Sequence, residues 1–222
     1  MNLADHIAHR TTSYANLAVF QAFAEDRIPL DLFPLFFMEE AMVTRFFQDF
    51  IWASTAIEGD DALADFARQH RRVDSGHYRW TARDLEVAGL PPLTLERCFA
   101  LEALGTRIQL ARILACFHDA GRDTRLTILA ALESAGTVTL GTLFGYAERH
   151  GLADRLLYLG RAHLRVEERQ VASITAIAAD LFARDEARLH ALVDTVFDAL
   201  SRMFEDAGRR LYGDLVGGRH AA

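Results

Sequence analysis

Apolar residues recur at intervals of three and four along nearly the whole chain, the spacing that places side chains on one face of an α-helix. No alternating apolar and polar pattern of the kind found in β-strands persists. The pattern predicts eight helices, at about 11–25, 31–56, 61–88, 93–119, 123–134, 138–149, 152–183 and 185–214. Asp60 or Asp61, and Thr94, are candidate N-terminal caps, and glycines 59, 89, 121 and 151 mark helix ends or turns. The sequence therefore predicts an all-α protein.

The chain reads as one domain spanning residues 1–222. We find no internal repeat, no low-complexity linker and no shift in composition along it. With 51% apolar and 25% charged residues, the composition is that of a globular protein with a sizeable core. We expect residues 1–10 and 216–222 to be flexible ends of that domain.

Charge and cysteine content exclude several function classes. A formal net charge of −7 argues against binding to nucleic acid or to an anionic membrane surface. The two cysteines, Cys98 and Cys116, are too few for a disulfide framework, and their spacing matches no zinc or redox motif. No secretion signal and no run of eighteen apolar residues is found. We expect a cytoplasmic protein without a membrane span.

The predicted helix 31–56 carries two glutamates close to a face rich in phenylalanine. On a helical wheel Glu39 falls in the middle of that face, and Glu40 lies at its edge beside Phe36 and Phe47. A carboxylate among phenylalanines loses its hydration unless a partner compensates. A metal ion or an arginine would compensate for the lost hydration, and a side chain that reaches the surface would keep it.

Two further predicted helices carry side chains of metal-ligand type, each set on one stripe. The stripes are Asp74, His77 and Asp84 on the helix 61–88, and His163, Glu167 and Gln170 on the helix 152–183. A carboxylate three residues before a histidine, or four after one, lies on the same side of an α-helix. Carboxylate and imidazole together suit a first-row divalent metal such as iron. Two such helices facing each other would converge these donors on one point.

Each of these residues also has an ordinary structural role. His77 taken alone is typical of a partly buried histidine that makes a hydrogen bond. Asp84 is expected either to accept the free N–H of a metal-bound His77 or to bond to backbone. The combination of the two stripes with a glutamate-bearing, phenylalanine-rich helix is what favours a metal site.

Two blocks of the sequence resemble the haem-oxygenase-like iron oxidases. Residues 74–89 are similar to the block Glu-x-Gly-His-x-x-Trp-x-x-x-Asp-Leu-x-x-x-Gly of that family, and residues 157–170 to its helix Leu-x-Tyr-x-x-x-His-x-x-x-Asp/Glu-x-x-His. The resemblance implies the haem oxygenase fold, a bundle of seven to eight helices, in a protein that is usually a homodimer. It also implies a non-haem diiron centre that activates O₂ for oxidations in small-molecule biosynthesis.

The resemblance assigns roles to individual residues. The implied metal ligands are Glu40, Asp74, His77, His163 and Glu167. Asp74 would bridge, and Glu133 would be a further carboxylate from the middle of the chain. Glu40 lies 34 residues before Asp74, a separation typical of the family, whereas the helical wheel alone prefers Glu39. Glu39, Asp84, Glu133 and Gln170 are accordingly candidates for weak ligands or for partners of the ligands.

Two positions depart from the family pattern. Asp74 stands where a longer glutamate is usual, and Gln170 stands where a histidine is usual. A neutral amide is a poor ligand for iron, so the second metal site is expected to be weak or empty. One iron, a labile pair of irons and a metal-free site all agree with these residues.

The predicted function is an iron-dependent oxidase or oxygenase that uses one or two Fe(II) ions and O₂ on a small amino-acid-like or fatty-acid-like metabolite. We expect Phe36, Phe47, Trp80 and Tyr158 to line or support its pocket. The alternative is a metal-free or metal-degenerate relative on the same fold, acting as a cofactorless enzyme, a ligand-binding protein or a scaffold. A thiaminase-II-type hydrolase is disfavoured because neither cysteine lies in a recognisable nucleophile setting.

Overall fold

The computed structural model describes residues 1–118 and 120–216, except for the side chains of Ile177 and Asp214. All regular secondary structure in this part of the chain is helical, as predicted. The α-helices are α1 Leu3–Ala15, α2 Ala18–Ala24, α3 Phe33–Ser54, α4 Ala62–Asp74, α5 His77–Val87, α6 Leu95–Phe99, α7 Leu104–Ala115, α8 Arg122–Arg149, α9 Arg161–Ile177, α10 Ala179–Phe182 and α11 Ala187–Tyr212. Short 3₁₀ turns lie at Leu101–Ala103, Ala153–Arg155 and Gly213–Leu215. The described chain thus has more and shorter helices than the seven to eight expected.

Helix α8 is the centre of the bundle, and α1, α2, α3, α9 and α11 all pack against it. It is long and apolar enough to cross a membrane, but 67% of its most apolar 18-residue window is buried inside the protein. A helix that is apolar on all sides and surrounded by other helices is a core helix. The predicted break between 134 and 138 is wrong, because α8 continues through Gly136.

The N-terminal residues form helix α1 and pack onto the rest of the fold. Asn2 caps α1 through a hydrogen bond from the Asp5 N–H to its side chain, and the Leu3 N–H donates to the Arg184 carbonyl. The Leu3 side chain is fully buried. A buried anchor and a satisfied cap explain why residues 1–10 belong to the fold. At the other end Val216 is buried as well, and residues 217–222 of the segment expected to be flexible lie outside the described residues.

The predicted helix 61–88 is two helices separated by Ser75 and Gly76. Asp61 caps the first as predicted, accepting the Ala64 N–H at 2.9 Å. Glycine weakens a helix interior by about 1 kcal/mol relative to alanine, which favours a break at position 76. Asp74 therefore ends α4 and His77 begins α5, so they meet across a turn and not along one helical stripe.

The predicted helix 152–183 begins nine residues later than expected, at Arg161. Gly160 explains the start of α9, because a Cβ added there would lie 2.2 Å from the Leu156 carbonyl oxygen. Only glycine permits this close approach of the two backbone segments. The predicted helices 11–25 and 93–119 are likewise interrupted, the second of them after the short α6, which Thr94 caps as predicted.

Candidate metal centre

Five helices direct polar side chains into the interior of the bundle at one level. The predicted residues that meet there are Glu40 from α3, Asp74 from α4, His77 from α5, Glu133 from α8, and His163 and Glu167 from α9. All six are between 1% and 6% exposed. Since buried ionisable groups are costly unless compensated, this concentration points to a functional site.

The first group, here called the His163 cluster, consists of His77, His163 and Glu167. Each residue offers one ligand atom, and these three atoms lie within 4.8 Å of one another. The His163 Nε2 lies 2.7 Å from the Glu167 Oε1, and the His77 Nδ1 lies 4.0 Å from the same oxygen. The two imidazole rings are 4.3 Å apart between centroids. Two nitrogens and a carboxylate thus face a common point.

The second group, here called the His70 cluster, consists of His70, Asp74 and Glu133. The His70 Nε2 lies 2.9 Å from the Asp74 Oδ2 and 3.0 Å from the Glu133 Oε1. Sequence analysis missed His70, although His70-x-x-x-Asp74 has the same spacing as His163-x-x-x-Glu167. The block that carries the family resemblance starts at Asp74, and His70 lies one helical turn before it, outside the block.

Asp74 lies between the two clusters. Its Oδ2 faces His70, while its Oδ1 lies 3.6 Å from the His77 Nε2 and accepts a hydrogen bond of 2.8 Å from the Gln170 side-chain amide. Burial acts to raise the pKa of Asp74, but the hydrogen bond and charge of His70 lower it below its usual value. An ionised carboxylate with one oxygen towards each cluster is placed to link them.

Glu40, and not Glu39, faces this site. Glu40 lines the central cavity, and its Oε1 is buried without a hydrogen-bond partner among the described residues. Burial and the neighbouring Glu39 raise the pKa of Glu40 to about 8. Glu39 points away, accepting hydrogen bonds from Arg210 at 2.5 Å and from Thr106 at 3.3 Å. The helical wheel's preference for Glu39 is thus corrected, because Glu39 is an ion-pair partner for α11.

The donor set fits a divalent metal. Besides the Glu40 Oε1, the His77 Nε2 and the Glu133 Oε2 are buried without a hydrogen-bond partner among the described residues. Buried polar atoms are normally paired, and at a metal centre the ion is the missing partner. Four buried carboxylates, Glu40, Asp74, Glu133 and Glu167, face three imidazoles, and a divalent cation would offset part of their negative charge.

The protonation state of His77 suits ligation as well, whereas His163 and Glu133 would release a proton on binding a metal. Burial, with the nearby His163, lowers the pKa of His77 to about 4, so its imidazole is neutral and keeps a lone pair for a metal. Burial opposes protonation of His163, but the hydrogen bond from its ring to Glu167 raises its pKa above the usual value. Burial raises the pKa of Glu133 to about 7, although His70 acts in the opposite direction.

Asp84 orients the His163 cluster indirectly, through hydrogen bonds to the backbone segment that precedes α9. Its two carboxylate oxygens accept the N–H groups of Leu157 at 2.7 Å and Leu159 at 2.9 Å. Between them, the Tyr158 carbonyl lies 2.6 Å from the His163 Nδ1. A carbonyl can only accept, so Nδ1 carries the proton and Nε2 is left to face the cluster. Of the two roles expected of Asp84, the structure shows the bond to backbone and not the bond to His77, and this bond holds the segment that leads into α9.

Asp84→Asn is expected to lower the free energy of unfolding by about 1–3 kcal/mol, because an amide has one acceptor oxygen where two backbone N–H groups need one each. The loosened Tyr158 carbonyl should also weaken metal affinity by about 10–100-fold, the usual effect of losing a partner behind a ligand. Fe(II) affinity measured anaerobically checks this. The exposed Asp180 provides a control in Asp180→Asn, which should change neither value. Unchanged affinity in Asp84→Asn would contradict the orienting role.

An apolar cavity adjoins both clusters. Its internal volume is about 70 Å³, and it opens in part to solvent. Its walls include Val43, Phe47, Gly136, Leu140, Tyr158, Leu200 and Phe204, together with Glu40, Asp74, His77, Glu133 and Glu167. Phe47 and Tyr158 were predicted to line a pocket, and they do.

Phe36 and Trp80 do not line this cavity. Phe36 is fully buried and stacks on Phe204 with ring centroids 5.7 Å apart. Trp80 packs against the two imidazoles, 4.9 Å from His77 and 5.2 Å from His163 between centroids. Trp80 therefore supports the ligand rings, and Phe36 belongs to the core.

The cysteines are separate from the cavity. Cys98 and Cys116 are not among its lining residues, and burial raises the pKa of both thiols. A thiol whose pKa is raised is a poor nucleophile at neutral pH. Thiol chemistry in this cavity has no support.

A solved structure of a TenA homologue protein from P. horikoshii OT3 is similar to this chain. The two superpose with a TM-score of 0.63 over 96% of this chain and 100% of that one, at 11% sequence identity. The fold is TenA-like. The all-helical architecture agrees with the fold class that the sequence predicted. At this identity the likeness concerns the fold alone, and no protein-family model and no curated protein sequence matches the chain.

Proposed function

We propose that this protein is a non-haem iron-dependent oxidase or oxygenase that uses O₂ to oxidise a small, largely apolar metabolite, amino-acid-like or fatty-acid-like. The observation that carries the proposal is the His163 cluster at the wall of an apolar cavity, beside the Glu40 Oε1, which has no hydrogen-bond partner among the described residues. His77, His163 and Glu167 would hold the ion, and Glu40 would complete its charge balance. Bound Fe(II) supplies the activation of O₂.

The residues around the cluster hold the ligands in place before any ion arrives. The Tyr158 carbonyl fixes the His163 ring, and Trp80 packs on both imidazoles. Because the His77 imidazole is neutral, binding a metal there requires no proton to be removed from it. A preformed site of this kind lowers the free-energy cost of ordering the ligands.

The cavity walls suit an apolar substrate with few polar groups. Phe47, Leu140 and Phe204 present apolar surface, which excludes water from the site. The polar groups in the wall include Tyr14 and Thr139, whose hydroxyls lie 2.9 Å apart. Burial raises the pKa of Tyr14 well above its usual value, so its hydroxyl stays protonated. Thr139 donates to the Ala135 carbonyl, so the Tyr14 hydroxyl donates to Thr139, and its oxygen can accept a hydrogen bond from a substrate. Such a group would orient the polar end of a substrate.

Gly136→Leu is expected to fill this cavity without removing the metal. A Cβ added at Gly136, which lines the cavity, meets no atom within 4 Å, so a leucine would project into empty space. Apolar cavities bind xenon, so crystals under xenon pressure should show the gas in the wild type and lose it in Gly136→Leu. Iron content should be unchanged.

Gly141→Leu is the matched control for this substitution. Gly141 lies on the same helix, an added Cβ there also meets no atom within 4 Å, and it is not among the cavity's lining residues. Xenon should remain bound in this variant. Retention of xenon in Gly136→Leu would contradict the assignment of the cavity.

The proposal is tested by anaerobic titration with Fe(II) followed by exposure to O₂. We expect at least one tightly bound Fe(II) per chain, and oxidation of that iron faster than of free Fe(II) in the same buffer. A chain that binds no Fe(II), or whose bound Fe(II) reacts no faster than free iron, would instead be a metal-free relative on this fold.

Two expectations about the protein in the cell stay predictions. A homodimer is implied by the family resemblance, and light scattering of the purified protein would test it. The cytoplasmic location, without nucleic-acid or membrane partners, rests on composition and charge.

A further inference from the structure

We propose that the His70 cluster binds a second divalent metal ion, and that His70 supplies the nitrogen ligand that the family pattern places at position 170. His70, Asp74 and Glu133 would hold this ion, and Gln170 would position Asp74. The inference deepens the proposed function, on which it rests for the identity of the metal as iron, but its test needs no reaction with O₂.

The spacing of the ligand atoms fits one ion. First-row divalent metals bind histidine nitrogen and carboxylate oxygen at about 2.0–2.2 Å, so ligands at right angles around one ion lie about 3 Å apart. The His70 Nε2 lies 2.9 Å from the Asp74 Oδ2 and 3.0 Å from the Glu133 Oε1. An ion could take the place of the proton that these three atoms share.

An unpaired oxygen gives a second, independent indication. Glu133 is 3% exposed, and its Oε2 has no hydrogen-bond partner among the described residues. A carboxylate in the middle of the core helix α8 would be strongly disfavoured without a compensating charge. The His70 side chain is fully buried, so solvent does not compensate either.

His70 replaces a ligand that was expected from the facing helix. Helices α4 and α9 pack against each other, and His70 and Gln170 line the same groove between them. Moving a nitrogen ligand from α9 to α4 therefore leaves it beside the same carboxylate, Asp74. The missing histidine at position 170 and the additional one at position 70 compensate each other.

Gln170 acts on the centre through Asp74. Its side-chain amide donates to the Asp74 Oδ1 at 2.8 Å, which leaves the Oδ2 for the His70 cluster. The Oδ1 also lies 3.6 Å from the His77 Nε2, so Asp74 stands between the two clusters. An amide nitrogen is a donor and not a ligand, which makes Gln170 a positioning residue.

The decisive measurement is the number of Fe(II) ions per chain after anaerobic loading and removal of free iron. We expect two ions in the wild type, one in His70→Ala and one in His163→Ala. Gln170→Leu should keep two, the second bound more weakly. His70→Gln is a more conservative variant that should also bind one ion, and circular dichroism of each metal-free variant verifies its fold.

A double variant distinguishes a ligand from a structural residue. Adding Gln170→His to His70→Ala should restore the second ion, because it returns the nitrogen to the position where the family has it. His150→Ala, a histidine paired with Asp26 outside the centre, is the control and should keep two ions. One ion in the wild type, two ions in His70→Ala, or no rescue by Gln170→His would overturn the proposal.

The two proposals fail in different ways. If two ions bind as described but the bound iron does not react with O₂, the second site stands and the oxidase function fails. If one ion reacts with O₂ and His70→Ala leaves stoichiometry and reaction unchanged, the oxidase function stands and the second site is disproved.

Discussion

His163→Ala is expected to abolish the reaction of this protein with O₂ and to lower Fe(II) affinity at the His163 cluster by more than about 100-fold. Loss of a partner behind a ligand already costs about 10–100-fold, and His163 is itself a ligand in the proposed centre. Its Nε2 faces Glu167 at 2.7 Å, and its Nδ1 is held by the Tyr158 carbonyl. Alanine removes both ring nitrogens, so Glu167 and the Tyr158 carbonyl each lose a hydrogen-bond partner.

The measurements for this variant are anaerobic Fe(II) titration and O₂ consumption. His9→Ala is the control, because His9 is an exposed histidine on α1. It should retain the iron and the reaction of the wild type. Full iron affinity in a folded His163→Ala variant would remove the basis for the proposed function.

Glu40→Gln is expected to stabilise the metal-free protein at pH 8 by a few kcal/mol, at most about 5 kcal/mol. In the folded protein burial raises the pKa of Glu40 from 4.5 to about 8. Between these two pH values the unfolded chain releases this proton and the folded chain retains it. The unfolded state is therefore favoured increasingly as pH rises, and stability contributed by this group is lost from about pH 4.5 to about pH 8.

Glutamine cannot ionise, so the variant should lose this part of the pH dependence. Urea unfolding of the metal-free wild type and variant at pH 5 and at pH 8 measures this. The free energies of unfolding of the two proteins should differ little at pH 5 and strongly at pH 8. Glu133, whose pKa is also raised, contributes a similar slope to both proteins. The difference between the two proteins therefore isolates Glu40.

The neighbouring glutamate provides a control with the opposite sign. Glu39 is paired with Arg210 at 2.5 Å, and the arginine side chain is 36% exposed. Glu39→Gln should therefore destabilise the protein by up to about 1 kcal/mol at pH 5. At pH 8 the loss should be smaller, because the substitution also removes a negative charge that raises the pKa of Glu40. If Glu40→Gln instead destabilised the protein at pH 8, Glu40 would not be a buried carboxylate without a compensating partner in the metal-free protein.

Local sequence patterns predicted the helical class and most residues of the candidate site. Helical spacing depends on neighbours three and four residues apart, so it identified the inward faces that carry His77, His163 and Glu167. Helix ends were less accurate. The break at Gly76 and the start of α9 after Gly160 depend on backbone contacts that a periodicity does not contain.

Partners distant in the chain could not be predicted in this way. The choice between Glu39 and Glu40 depends on Arg210, which follows Glu39 by 171 residues. The role of Asp84 depends on backbone N–H groups 73 and 75 residues further along. A helical wheel indicates that a side chain is buried, but not which side chain it meets.

His70 is a different case, because its signal was present in the sequence. His70-x-x-x-Asp74 has the spacing that made His163-x-x-x-Glu167 a candidate. Glutamine at position 170 predicts a weak or empty second site only where no facing helix carries a replacement nitrogen. Helix α4 faces α9 and carries one in His70.

Diffraction at the iron absorption edge, from crystals loaded anaerobically with Fe(II), would locate the bound iron. One anomalous peak is expected between His77, His163 and Glu167, and a second between His70, Asp74 and Glu133. A loaded crystal with no peak at the His163 cluster, or with iron only at the protein surface, would contradict the proposed metal centre.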